Sequence, residues 1–172
     1  MRTLTYTALA LTACLATLPA WSALAKDHRS NSAISLKGTF RFSTVKTCTD
    51  SATASTAHFY VDGTIVYDGH GSAHLTQEGT LILPGPTSTS FKETAELTYT
   101  VKPHGEFSQE GTFHAVDKSY TLTGAKMSGH IDPHGSVLIL SAVPSAKEML
   151  VIPGRGVSEY LCGASGTAVR IR

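Results

Sequence analysis

The sequence predicts an all-β fold of eight antiparallel strands, either a sandwich or an up-and-down barrel. Three observations predict it. Apolar and polar residues alternate with period two from Leu36 onward, and no stretch sustains a helical period. The alternating runs are short and follow one another at hairpin spacing. Serine, threonine, glycine and proline fill the joints, as turns require.

The chain of 172 residues opens MRTLTYTALALTACLATLPAWSALA. One positive charge (Arg2), an apolar middle, Pro19 and Ala23-Leu24-Ala25 have the form of a secretory signal peptide cleaved after Ala25. A minor alternative is a lipid anchor on Cys14, because Leu11-Thr12-Ala13-Cys14 resembles a lipobox. The apolar stretch is short and interrupted by threonines, so no transmembrane segment is expected in the mature chain. Residues 26–35 read as a flexible polar leader, and 36–172 as one β domain large enough for its own core. Export to the bacterial periplasm or outside the cell is the expected location, and a monomer the expected state.

Removing residues 1–25 takes away one basic residue and no acidic one, which leaves the mature charges balanced. That balance gives no electrostatic reason to expect nucleic acid as a partner. Cys48 and Cys162 are the two mature cysteines, and in an oxidising compartment an even pair most simply forms one disulfide.

In chain order the expected strands are 38–47, 58–67, 72–83, 94–102, 106–115, 119–131, 136–143 and 164–171. Residues 143–161 form a long excursion before the last strand, with Glu148–Ile152 a short strand or flap. Three connections rhyme: Asp68-Gly69-His70-Gly71-Ser72, Lys102-Pro103-His104-Gly105-Glu106 and Asp132-Pro133-His134-Gly135-Ser136. Proline at the second position suits a type I turn, and the last glycine a left-handed bulge residue. Such turns pair Lys102 with Glu106, Tyr99 with Gln109, Leu97 with Gly111, Ala95 with Phe113, Ile65 with Leu75, and Ile131 with Val137. They also oppose Asp62 to Glu78, a like-charge pair for which a bulge at Asp62-Gly63 is the preferred relief.

The three turns fall on alternate connections, so His70, His104 and His134 decorate one end of the molecule. Each sits on a different hairpin tip. Neighbouring hairpin tips are two strand spacings, about 10 Å, apart, too far to share an ion whose donors must all lie about 2 Å from it; no metal and no cofactor are expected. His58, His74, His114 and His130 fall on the polar phase of their strands.

Gly38-Thr39-Phe40 at the start of the first strand, with Arg170 on the last, resembles the lipocalin pattern of the calycin group. There Gly-x-Trp opens the first strand and an arginine of the last strand packs across the aromatic. Phe40 stands in the tryptophan's place, and Ile131-Asp132-Pro133-His134 replaces the second motif, Thr-Asp-Tyr. The resemblance implies a closed, lipocalin-like barrel. Antiparallel pairing of Cys48 with Cys162 independently places Phe40 opposite Arg170, and joining first strand to last removes both sheet edges.

The inward phase then supplies a candidate ligand site of Phe59, Tyr67, Gln77, Leu97, Tyr99, Gln109 and Phe113. Glycines at inward positions 63, 79 and 111 either admit neighbouring rings or open a cavity. No catalytic residues are expected. Glu78, Glu96, Glu106 and Glu110 fall on the outward phase, and the interior offers only tyrosines, amides and Lys126 for acid–base work. The layout implies a non-enzymatic exported barrel that binds a small, mostly apolar molecule. The alternative is an interaction module, such as an inhibitor of a secreted enzyme, working through the loops at 51–56, 84–90 and 143–161.

Overall fold

A computed structural model describes residues 36–144 and 146–171. The expected signal peptide, leader and Cys14 anchor lie outside the described residues. Nine strands form one closed antiparallel sheet: β1 Lys37–Asp50, β2 Thr56–Asp68, β3 Ser72–Ile82, β4 Ser88–Val101, β5 Glu106–Ala115, β6 Thr121–Ile131, β7 Val137–Ala142, β8 Lys147–Ile152 and β9 Gly156–Arg170. Both β7 and β8 pair with β6 on one side and β9 on the other. They are successive pieces of a single barrel strand broken at 143–146. The architecture is therefore an eight-stranded up-and-down barrel of lipocalin-like layout, closed by β1 against β9. Joining β1 to β9 leaves the sheet without an edge strand among the described residues.

The continuity of β7 and β8 corrects the expected excursion at 143–161. That stretch is wall, not loop, because Met149 and Leu150 pair with Thr123 and Leu122 of β6. A tight turn at Pro153–Arg155 returns the chain into β9.

Registers from the turn chemistry hold in two hairpins. Lys102 N–H donates to the Glu106 carbonyl at 2.8 Å, and Tyr99 faces Gln109, Leu97 faces Gly111 and Ala95 faces Phe113. Ile65 faces Leu75 in the β2–β3 hairpin. The β6–β7 hairpin differs by one residue: Ile131 faces Leu138, not Val137. Asp132 is the cause. Its carboxylate accepts from the backbone N–H groups of Ser136 at 2.5 Å and Val137 at 2.7 Å, which lengthens the turn by one position. A one-residue slip reverses a strand's faces, and so Leu138 and Leu140 are buried while Ile139 is exposed.

The turn at Lys102–Glu106 also differs from the type I expectation. His104 itself lies in the left-handed region, with φ 72° and ψ 12°, and Gly105 N–H closes the turn onto the Lys102 carbonyl at 3.1 Å. A positive φ at the third position is what departs from type I. No bulge relieves Asp62 and Glu78, which face each other directly. Lys92 of β4 reaches Glu78 at 3.3 Å instead, so the repulsion is offset from the next strand.

The interior is filled at the histidine-turn end. Phe40, Tyr67, Tyr99 and Phe107 meet mostly edge to face, with ring centres 4.9 Å apart for Tyr67–Tyr99 and 5.4 Å for Phe40–Tyr67. Arg170 lies across Phe40 at 5.3 Å from the ring centre, stacking the guanidinium on the aromatic face as the resemblance implies. Burying a phenylalanine completely, as Phe40 is, stabilises by about 1.5–3 kcal/mol. Tyr67 hydroxyl donates to Gln109 Oε1 at 2.8 Å, and Tyr99 hydroxyl to the Leu36 carbonyl at 2.6 Å. Both phenols thus keep partners in an apolar setting, and burial pushes the Tyr67 hydroxyl well above the usual range.

Candidate functional site

Burial fades along β3 away from those turns. On β3, Ala73 and Leu75 are buried, while Gln77, Gly79 and Leu81 are only half-buried. The space left is a cavity of about 880 Å³ in the other half of the barrel. It reaches the loops at Thr53–Ser55, Leu83–Thr89 and Val116–Ser119, which form its mouth. Its cause is side-chain size: Ala57, Ala115, Ala125 and Ala164 line it and are too short to reach the barrel axis.

The inward glycines are not the cause. A Cβ on Gly63 would stand 2.6 Å from the Phe42 ring, and one on Gly79 would stand 2.7 Å from the Phe91 ring. Both glycines seat rings that form the cavity wall.

Phe42, Phe59, Phe91, Phe113, Met127 and Leu140 supply much of the apolar lining. Phe59 and Phe91 meet edge to face at 6.1 Å. Two polar groupings interrupt them. On one wall, Glu93 of β4 is 6% exposed, and its carboxylate accepts from Gln77 Nε2 and from the Tyr120 hydroxyl at 2.6 Å. Burial and this bond both push the Tyr120 phenol well above its usual range, which keeps it a donor. On another wall, Lys46 of β1 forms an ion pair with Glu148 of β8 and stands 5.7 Å over the Phe59 ring. At the mouth, Asp50 accepts from the backbone N–H groups of Ala52 and Thr53, both at 2.8 Å, and Asp117 from the Ser119 hydroxyl at 2.6 Å. These bonds, with the Thr53 N–H first for Asp50 and the Ser119 hydroxyl first for Asp117, lower both carboxyl pKa values.

The disulfide joins Cys48 to Cys162 across the β1–β9 seam, where the two residues face each other. Cys48 lines the cavity beside Glu148. Among the described residues, Cys48, Cys162 and Glu148 are the group whose ligand atoms lie within 4.8 Å of one another, and the two sulfurs are bonded. His70, His104 and His134 stay on separate, exposed turns. His74 pairs with Glu96 at 2.7 Å on the outer face.

Of the seven residues expected at a ligand site, Phe59, Gln77, Gln109 and Phe113 line the cavity. Tyr67, Leu97 and Tyr99 belong to the filled end, where they are buried among other side chains. Sequence reasoning missed Lys46, Glu93 and Glu148, while Tyr120 falls on the inward phase of its expected strand. Glu93 was within reach: the inward phase of Val101, Tyr99, Leu97 and Ala95 runs on to Glu93 and Phe91, but the expected strand starts at 94. Lys46 likewise shares the phase of Phe40, Phe42 and Cys48 on β1. Glu148 was hidden by the excursion expected there.

No protein-family model matches the chain, and no curated protein matches its sequence. Among solved structures, the S-type phycobiliprotein lyase CPES from Guillardia theta aligns at 9% identity with a TM-score of 0.32, covering 79% of this chain and 88% of that one. A likeness of that size carries no argument about ligand or reaction. Among the described residues, no helix is long and apolar enough to cross a membrane.

The expectation of a non-enzyme does not survive. The premise behind the expectation fails inside the barrel itself. Lys126 is exposed and pairs with Glu110 at 2.7 Å, whereas Lys46, Glu93 and Glu148 face inward. The interior therefore holds titratable groups suited in kind to acid–base work. No activity passes from the lyase to this chain.

Proposed function

We propose that this protein is an exported, lipocalin-like barrel that binds a small, mostly apolar molecule in the mouth half of its interior, acting as a monomer. One observation carries the reading: an aromatic-walled cavity of about 880 Å³ with a few placed polar groups. Small-molecule sites are commonly clefts of about 300–1,000 Å³, apolar in the main, with a small number of oriented polar partners. Phe59, Phe91 and Phe113 provide the surface, and Gln77, Gln109 and Glu93 provide the partners. The Cys48–Cys162 bridge supports an oxidising location, the periplasm or the exterior.

Native mass spectrometry of protein purified from its own host tests the reading. A retained small molecule, released on denaturation, is the expected result. An empty barrel that instead carries a second protein would overturn it in favour of an interaction module using the mouth loops.

A further inference from the structure

The charges around the cavity do not cancel. Six charged side chains line it: Lys46, Asp50, Lys92, Glu93, Asp117 and Glu148. Lys46 is neutralised by Glu148, and Lys92 is held by Glu78 on the outer face. Glu93, Asp50 and Asp117 remain, and among the described residues none of these three has a cationic partner. Glu93 matters most because it is buried. Its partners, Gln77 and Tyr120, are neutral donors, and both donate to the carboxylate. A carboxylate in a low-dielectric cavity is costly without an opposite charge, and water or neutral donors repay only part of that cost. The rings beside it add to the bias. Phe91 shares the inward phase of β4 with Glu93, Phe113 stands on the neighbouring strand, and both line the cavity, where aromatic rings suit a cation better than an anion.

We infer that the cavity selects a cationic amphiphile, an apolar molecule bearing a protonated amine, whose charge is met by Glu93. The inference rests on the proposed ligand-binding role and names its substrate class. Asp50 and Asp117 at the mouth draw the same sign of charge inward, since like-signed groups around a low-dielectric cleft focus the field. Lys46 does not recruit an anion, because Glu148 already occupies it.

The test is displacement of a bound neutral dye, Nile red, by three probes of equal chain length: decylamine, decanol and decanoate. Decylamine should compete at least about tenfold better than decanol, the scale of one charge-assisted hydrogen bond, and decanoate should compete worst. Glu93→Gln keeps the shape and the Tyr120 contact. Within that variant, decylamine should compete to about the same degree as decanol. Equal competition by decylamine and decanol in the wild type overturns the charge selection but leaves a neutral binding site standing. That comparison needs no variant to fold. A preference that survives Glu93→Gln and disappears in Asp50→Asn/Asp117→Asn overturns the role of Glu93. Failure of Nile red and of every decyl compound to bind removes the proposed function, and this inference with it.

Discussion

Breaking the Cys48–Cys162 bridge should lower the melting temperature by about 10–20 °C without changing the fold. The bridge spans a sequence separation of 114. In the chain-entropy treatment, releasing a loop of that length restores about 5 kcal/mol of disorder to the unfolded chain. For a domain of this size each kcal/mol moves the midpoint by about 2–4 °C, which gives the range stated. The loss is large beside a typical total stability of about 5–15 kcal/mol. The barrel should nonetheless close without it. The β1–β9 seam pairs continuously from Phe40–Arg170 to Asp50–Tyr160, and the Arg170 stack on Phe40 lies at the far end from the cysteines. The assay is circular dichroism melting of wild type and of Cys48→Ala/Cys162→Ala, each with and without a dithiol reductant. Reductant should bring the wild type down to the double variant and leave the variant unmoved. A shift of less than about 3 °C would refute the entropic reasoning, meaning that the unfolded chain is already as constrained as the bridge makes it. A double variant without a β spectrum would show that the seam cannot form on pairing alone.

Further outcomes are expected from substitutions in the cavity, the core and the turns. Ala164→Leu projects into the cavity and should weaken Nile red binding with little change in melting. Gly111→Leu should instead cost about 1–3 kcal/mol, because its Cβ would stand 2.6 Å from Leu97 Cδ2, as denaturant titration can measure. His104→Gly should change stability by less than about 1 kcal/mol, since relief at φ 72° is opposed by glycine's greater freedom in the unfolded chain, whereas Gly105→Val should destabilise at φ 82° in the same titration. Tyr67→Phe should cost about 1–3 kcal/mol by leaving buried Gln109 Oε1 without its donor; a melting point equal to wild type would show that the amide finds another partner. Asp68 and Asp132 have lowered pKa values, owing first to the backbone N–H groups of His70 and Val137 respectively. A folded pKa below the unfolded one stabilises above the unfolded value, 3.8, and the gain is lost as pH falls through the folded one. Melting points of Asp68→Asn/Asp132→Asn should therefore depend less on pH below about 4 than those of the wild type.

Alternation along single strands is local, because successive side chains in an extended chain must point to opposite faces. For that reason the sequence by itself determined the all-β class, the inward phase of Ile65, Leu75, Ala95 and Leu97, and the outward phase of His74 and Glu96. The turn sequence at Lys102–Glu106 set the β4–β5 register. The two cysteines, once paired, set Phe40 against Arg170. Tertiary structure decided the rest. Whether Asp132 would cap Ser136 and Val137, and so turn Leu138 inward in place of Val137, depends on one side-chain rotamer that residue types do not specify. Whether 143–161 leaves the barrel depends on β6 and β9 both having free edges beside Lys147–Ile152, which is known only when the sheet closes. The largest undetermined matter was which half of the interior is filled. Tyr67 and Tyr99 share a phase with Gln77 and Phe59, but depth along the barrel and reach across it are properties of all eight walls together. Only there do Phe40, Tyr67, Tyr99 and Phe107 converge on one end, while the alanines at 57, 115, 125 and 164 leave the other end open around Glu93.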